Sequence, residues 1–454
     1  MNEVAACLDR GLALRGEERM GEADAAFTRA HALAPRDPVA ARCLAQIRFE
    51  RGYPAAALFA AARALAPGDR DLLRNEALAL AAERAPDQGE ALLADAVAAA
   101  PDWLDGQRVL ATLRWTHELG DPFAGYAAGV EAMPGNAALW LAWFAAVAQQ
   151  RDWPAARTIL DQACAAIGET RGLLLAETFM AVERDADRGE ARRLLDLTTG
   201  IDDAGLSICR IRFALREGDW VGARDTAQAM LGGPAAMLAW PYLALAWRLL
   251  GDPAAEWLEG DPRLVGEYPV ALSDAEFGEL TETLRSLHTA RAPYGEQSVR
   301  GGTQTDRSVL LRHEPILART RAALMAAVEA HVAQLPPPDP RHPLIGRPRA
   351  PLRLAGSWSV RLSGGGRNVP HTHPAGWLSS AFYVTLPDGE GGALALGTPP
   401  PELGLDLPPR RVVRPVVGRV VLFPSTLWHS TLPFTSGERL NIAFDIVPAA
   451  RRGG

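Results

Sequence analysis

Along the first half of the chain, apolar residues recur at helical spacing in short blocks separated by turn residues. VAARCLAQIRFERG reads as one helix, Gly52-Tyr53-Pro54 breaks it, and AAALFAAARALA reads as a second. The phrase ALAPRDPVA around Pro35 returns as ALAPGDRDL around Pro67. Looser echoes follow at Pro101, Pro134, Gly168, Gly200 and Pro234, in steps of 32, 34, 33, 34, 32 and 34 residues. A period of that size predicts stacked helical hairpins, each burying its apolar face on the next. Ala23, Phe27, Ala30 and Pro35 mark the first unit, and Ala55, Phe59, Ala62 and Pro67 mark the second. The small residues let two helices approach, the phenylalanine fills the space between them, and the proline ends the second helix.

Beyond residue 265 the pattern changes. A helix is expected after Ser273, whose side chain and Glu276 form a capping pair, and a second over residues 314–334. Between them lies a polar, glycine-containing stretch, EQSVRGGTQTDRS. LPPPDPRHPLIGRPRAP reads as an irregular connector. From Leu352 the period becomes two. LRLAGSWSVRL, WLSSAFYVTL, GALALG, GRVVLFP, LWHSTLP and RLNIAFDIV are strand candidates between Gly, Pro and Asp clusters. About seven or eight antiparallel strands fit a sandwich, a barrel or a jelly roll.

The composition of the 454 residues, 48% hydrophobic and 22% charged, is that of a folded chain, and its apolar runs are too short for a membrane span. Acidic Glu3 and Asp9, with no basic segment before an apolar core, speak against a secretory leader, so a cytoplasmic location is expected. Cys7, Cys43, Cys164 and Cys209 are scattered and lack metal-site spacing, which makes them plain thiols. A net charge of −7 gives no case for nucleic acid. All 47 basic residues are arginine, so any carboxylate held by a basic side chain other than histidine is held by a guanidinium.

Seven of the nine histidines lie beyond residue 265. His371 and His373 are two apart, and in an extended segment both side chains project to one side. His429, on a later strand, can supply a third imidazole to the same ion, and neutral imidazole suits Fe, Zn, Cu and Ni alike. His288, His313, His331 and His342 show no such partnering and are read as structural.

Two family resemblances follow from these motifs. The spacing of Gly11, Ala23, Phe27, Ala30 and Pro35 resembles the tetratricopeptide repeat, over residues 1–260 and about seven units. The later units drift, with Gly89 and Pro122 where that family usually has alanine. The stretch VVGRVVLFPSTLWHSTLPFTSGERLNIAFDIV resembles the second metal-binding half of Fe(II)/2-oxoglutarate-dependent oxygenases. SWSVRLSGGGRNVPHTHPAGWLSSAFYVTL is similar to the first half of a bacterial group with an H-x-H-P run, related to the aspartyl/asparaginyl β-hydroxylases. Gly301-Gly302-Thr303-Gln304-Thr305 looks like that group's upstream loop. This second resemblance covers residues 290–448.

The resemblance implies a double-stranded β-helix holding Fe(II) through His371, His373 and His429, with no catalytic side chain beyond the metal ligands. It implies that 2-oxoglutarate and O2 are cosubstrates and that Arg439 grips the far carboxylate. Asn441 and Tyr383 are candidate supports, Ser379 a candidate pocket hydroxyl, and Arg361 and Asn368 weaker substrate contacts. Gly364-Gly365-Gly366 is read as a loop beside the site mouth, and Trp428 as facing away from iron. The sequence departs from the usual two-histidine, one-carboxylate pattern, because His373 stands where the acid is expected. Three readings stay open: His373 ligates; it points away and leaves two histidines with water; or Asp388 or Asp445 enters the shell.

The expected fold class is therefore multidomain α + β. Residues 1–262 form the repeat solenoid, 263–350 are connecting helices and loops, and 351–450 are the jelly-roll core. A solenoid offers a concave surface for a peptide or protein substrate; packing on the rest of the chain or on a second copy is the alternative. Trp103, Trp115, Trp140, Trp143, Trp153, Trp220, Trp240 and Trp247 are read as filling the cores between repeats, with groove lining as the other possibility. Competing functions are an oxygenase of a small metabolite, an all-histidine dioxygenase needing no cosubstrate, and a scaffold whose jelly roll is inactive or only metal-stabilised. The oligomeric state is left open.

Overall fold

The structure, a computed structural model, describes residues 3–184, 186–295, 297–387 and 391–449. It forms two compact units: residues 1–133, 273–295 and 304–322 make the first, and 134–272, 296–303 and 323–454 the second.

In the first unit four helical hairpins succeed one another, Glu3–Gly16 with Met20–Leu33, Pro38–Glu50 with Ala56–Leu65, Arg70–Ala82 with Pro86–Ala99, and Leu104–His117 with Ala124–Ala132. The repeat phrase explains their starts. Asp37 and Asp69 each accept two hydrogen bonds from the first free backbone amides of the following helix. Ala23, Phe27, Ala30, Phe59 and Ala62 are fully buried, as their offsets require. A fully buried phenylalanine contributes about 2–3 kcal/mol from area alone. The helix Asp274–Leu287 also belongs here, and Ser273 and Glu276 make the expected capping box.

The second unit carries four more hairpins, Ala137–Gln149 with Trp153–Ile167, Arg171–Arg184 with Arg188–Leu197, Ala204–Glu217 with Trp220–Ala229, and Ala236–Leu250 with Ala254–Glu259. The described residues thus hold eight hairpins, one more than the spacing of the proline and glycine markers suggests. The eighth has a six-residue second helix and no closing marker. Trp140, Trp240 and Trp247 are buried between helices, as core filling predicts; Trp220 is exposed, and the other four are half-buried.

Among the described residues nine strands follow the repeats: β1 (Gly266–Pro269), β2 (Val299–Gln304), β3 (Leu352–Asn368), β4 (Leu378–Thr385), β5 (Leu394–Leu396), β6 (Arg411–Val413), β7 (Arg419–Pro424), β8 (His429–Thr431) and β9 (Glu438–Pro448). Six form one sheet, in the order β1-β7-β4-β9-β3-β2, and three form another, β6-β5-β8, giving the expected jelly-roll class. Two glycine-rich segments read as loops prove to be strand. Gly301 and Gly302 lie in β2, and Gly364–Gly366 lie inside β3. Backbone proximity is the cause: a Cβ on Gly302 would stand 2.3 Å from the Arg361 carbonyl oxygen, and one on Gly366 2.6 Å from that of Gly301. Residues 335–351 are irregular, as their prolines predict.

The last hairpin packs on this β region within the second unit. Trp428 and Leu403 join the core of Trp240, Leu243 and Trp247, and Trp428 Nε1 donates to the Pro241 carbonyl at 3.1 Å. No helix of the described residues is long and apolar enough to cross a membrane.

Candidate active site

Backbone pairing brings three histidines together. His371 and His429 exchange both amide hydrogen bonds, each 3.0 Å, and the His373 amide donates to the Ser425 carbonyl at 2.9 Å. Their ring centroids stand 5.0 Å (His371 to His373), 4.1 Å (His371 to His429) and 4.8 Å (His373 to His429) apart. The nitrogens able to hold a metal lie within 4.8 Å of one another.

Their hydrogen bonds fix the tautomers. A carbonyl oxygen only accepts, so His371 Nδ1, 2.8 Å from the Val369 oxygen, and His429 Nδ1, 3.0 Å from the Leu427 oxygen, both carry the proton. His373 Nδ1 lies 2.8 Å from Asp445 Oδ1, and Ser379 Oγ donates to the same oxygen at 2.6 Å. The lone pair is therefore on Nε2 of His371 and His429, and the carboxylate favours the same tautomer in His373. Burial and the neighbouring imidazoles push His371 down to about 3 and His429 well below its ordinary value, which keeps both neutral. Three imidazoles backed by carbonyls and one carboxylate suit a transition-metal ion.

Asp445 stands behind His373 and holds its far nitrogen. Asp388, the other acid considered as a ligand, lies outside the described residues. His371 Nε2 has a different neighbour, Ser298 Oγ at 3.2 Å. Ser298 accepts from Asn368 Nδ2 at 2.9 Å, and Asn368 Oδ1 accepts from Thr431 at 3.2 Å. Asn368 thus reaches the site through Ser298.

On β9, Arg439, Asn441 and Asp445 share one face. On the adjacent β4, Ser379 stands opposite Asp445 and Tyr383 opposite Asn441. Arg439 is 1% exposed and donates to Asn441 Oδ1 at 2.7 Å, with its guanidinium 5.1 Å from the Tyr383 ring centre. No described carboxylate pairs with it, and both Arg439 Nε and the Tyr383 hydroxyl are buried without a hydrogen-bond partner. Burial pulls the guanidinium below its usual range and pushes the Tyr383 phenol up. A buried, unpaired cation costs several kcal/mol, on the order of what an incoming carboxylate offsets. The donor set therefore fits a carboxylate from outside, on the strand that also carries Asp445 behind His373.

Phe423 packs at 4.8 Å on the His429 ring and Trp358 at 5.3 Å on the His373 ring, which gives the imidazoles apolar walls. Arg361 is not brought in. Its neighbours Val360 and Leu362 take the buried face of β3, so Arg361 points the other way and pairs with Glu438 at 2.6 Å. Trp428 also faces away, as alternation predicts. His313, His331 and His342 bond to Arg51, Tyr268 and Leu258, away from the cluster. Sequence reasoning missed Ser298, Thr431, Ser425 and Trp358. Of these only Trp358 carried a signal, being spaced by two from the apolar residues 360 and 362.

Residues 356–445, which include all of the candidate residues except Ser298, match the family model described as "Putative 2OG-Fe(II) oxygenase". Among solved structures, the chain is similar to the viral collagen prolyl hydroxylase of Paramecium Bursaria Chlorella virus-1 (15% identity, 41% of this chain and 97% of that one, TM-score 0.29). It is also similar to a Pseudomonas putida prolyl-4-hydroxylase (16%, 45% and 97%, TM-score 0.28) and to a tetratricopeptide repeat protein of Parabacteroides merdae (11%, 54% and 99%, TM-score 0.34). No curated protein matches the sequence. The family match, the histidine cluster and the uncompensated Arg439 agree: behind a tetratricopeptide-like array of helices, this chain carries a 2-oxoglutarate- and iron-dependent oxygenase domain.

Proposed function

We propose that the domain hydroxylates a side chain of a peptide or protein, with residues 1–262 presenting that polypeptide to the 351–450 core. His371, His373 and His429 hold Fe(II) through Nε2, and Asp445 orients His373. Arg439 receives the far carboxylate of 2-oxoglutarate through its fork of donors, which matches a carboxylate in geometry as well as charge. Asn441 fixes the plane of that guanidinium, and the Tyr383 hydroxyl is positioned to donate to the same anion. Phe423 and Trp358 keep water from the imidazoles. Iron, when bound, couples decarboxylation of 2-oxoglutarate by O2 to oxidation of a substrate C–H bond. The chain's own part is to hold, orient and desolvate.

The observation that carries this reading is a buried guanidinium without a described counter-ion, on the strand that also holds Asp445 behind the histidine triad. The polypeptide substrate rests on the helical hairpins alone. The test is succinate formation from 2-oxoglutarate, with and without Fe(II), against a peptide library and a metabolite panel. Iron-dependent succinate that Arg439→Ala abolishes, stimulated by peptides, is the expected result. Stimulation by metabolites alone removes the polypeptide substrate, and no succinate under any condition removes the reaction.

A further inference from the structure

Within the second unit lies an open cavity of about 360 Å3, in the range of ligand pockets. The helix-end residues Glu183, Arg184, Arg188 and Arg216, together with Arg151, face the turn Pro401–Gly404, which brings Glu402. Four guanidiniums thus line it against two carboxylates. The carboxylates are already engaged. Glu183 takes Arg212 through both oxygens, at 2.5 and 2.8 Å, and Glu402 takes Arg151. Arg216 donates to the backbone carbonyls of Glu402 and Val182, and Arg188 reaches Glu217 at 3.1 Å. Arg184 has no ion pair among the described residues.

The positive charge continues toward the histidines. Arg300, in β2, feels Arg151 and Glu402 from the cavity and Arg367 from the end of β3. It lies two residues past Ser298, whose hydroxyl is 3.2 Å from His371 Nε2. A further guanidinium, Arg300, thus lies close in sequence to the residue that touches His371.

We infer that this arginine-lined cavity binds an acidic stretch of the polypeptide substrate, a few residues along the chain from the side chain presented to the histidines. The inference deepens the oxygenase reading and rests on it for the word substrate. The chemistry favours spaced carboxylates over one dense anion. The guanidiniums are spread around the cavity, each a planar fork suited to one carboxylate.

The test is fluorescence polarisation with the full-length protein. The probe is a fluorescein-labelled twelve-residue peptide with aspartate at alternate positions, and the control has asparagine there. The aspartate peptide is expected to bind at least about tenfold tighter, and the preference to shrink as salt rises. Arg184→Glu with Arg188→Glu, both exposed, is expected to lose about tenfold in peptide affinity while 2-oxoglutarate binding stays unchanged. Equal binding of the two peptides, an unaffected double variant, or displacement of the peptide by micromolar inorganic phosphate would each overturn the inference. Peptide binding that behaves as expected in a protein that forms no succinate sinks the oxygenase reading and leaves the acidic-peptide site standing.

Discussion

On the proposed reading, Asp445 acts on the metal through His373. Its carboxylate fixes the imidazole ring, and Ser379 anchors the same oxygen at 2.6 Å. Asp445→Asn keeps the shape and removes the charge. Metal affinity is expected to fall about 10–100-fold, in the range such supporting groups carry, with the fold retained by circular dichroism. A competition titration against a chelator measures it, and an unchanged affinity would reduce Asp445 to a packing residue. The histidines were legible because alternation puts residues two apart on one side. Arg361 was misread for the same reason in reverse: closeness in sequence to His371 says nothing about which face of β3 a side chain takes. Ser298 was not legible at all. Its place depends on β2 pairing with β3, which brings together residues some seventy positions apart.

Among the elements, the helical hairpins were readable because proline, alanine and phenylalanine recur at fixed offsets. The edge strands β1 and β2 were not, since GEYP and VRGGTQ have no alternation of their own and are held by their neighbours. Gly89 shows how tightly the repeats close: a Cβ there would lie 2.4 Å from the Ala77 carbonyl oxygen. Alanine improves helix propensity by about 1 kcal/mol, yet this contact is with backbone that cannot rotate away. Gly89→Ala is therefore expected to destabilise the protein by about 1–3 kcal/mol in urea unfolding, the cost of overpacking. No loss would mean that the helices Arg70–Ala82 and Pro86–Ala99 separate freely. The helix Pro315–Gln334 carries a second testable feature. Burial holds His331 down at about 4 against an ordinary 6.5, beside the Tyr268 hydroxyl at 3.1 Å. The folded state thus binds this proton more weakly than the unfolded state does. The resulting stability is complete above pH 6.5 and is lost as pH falls toward about 4. The loss is about 3 kcal/mol in size. His331→Gln is expected to flatten the stability profile between those values, and an unaltered slope would assign the acid sensitivity to other groups.

For the molecule as a whole, the charge of the site decides how its two ligands depend on each other. As metal ligands the three imidazoles would bring no charge, Asp445 lies on the far side of His373, and Arg439 adds a buried cation. A divalent ion therefore meets ligands that bring no charge of their own, and a dianion meets the ion and the buried Arg439 guanidinium together. Binding of either ligand should strengthen the other more than in a site whose shell contains a carboxylate. By linkage the two enhancements must be equal. With Mn(II) in place of iron, 2-oxoglutarate is expected to bind at least about tenfold tighter than to the metal-free protein, and Mn(II) to gain the same factor from 2-oxoglutarate, within the usual range of coupling energies. His373→Asp places a negative charge beside the ion, so the shared factor should shrink while Mn(II) alone binds more firmly. Arg439→Ala should weaken 2-oxoglutarate with and without metal and leave Mn(II) alone unchanged or slightly tighter. Titration calorimetry on the three proteins reads every one of these quantities. If His373→Asp leaves the coupling as it was, His373 is not facing the metal, and the site is a two-histidine one completed by water.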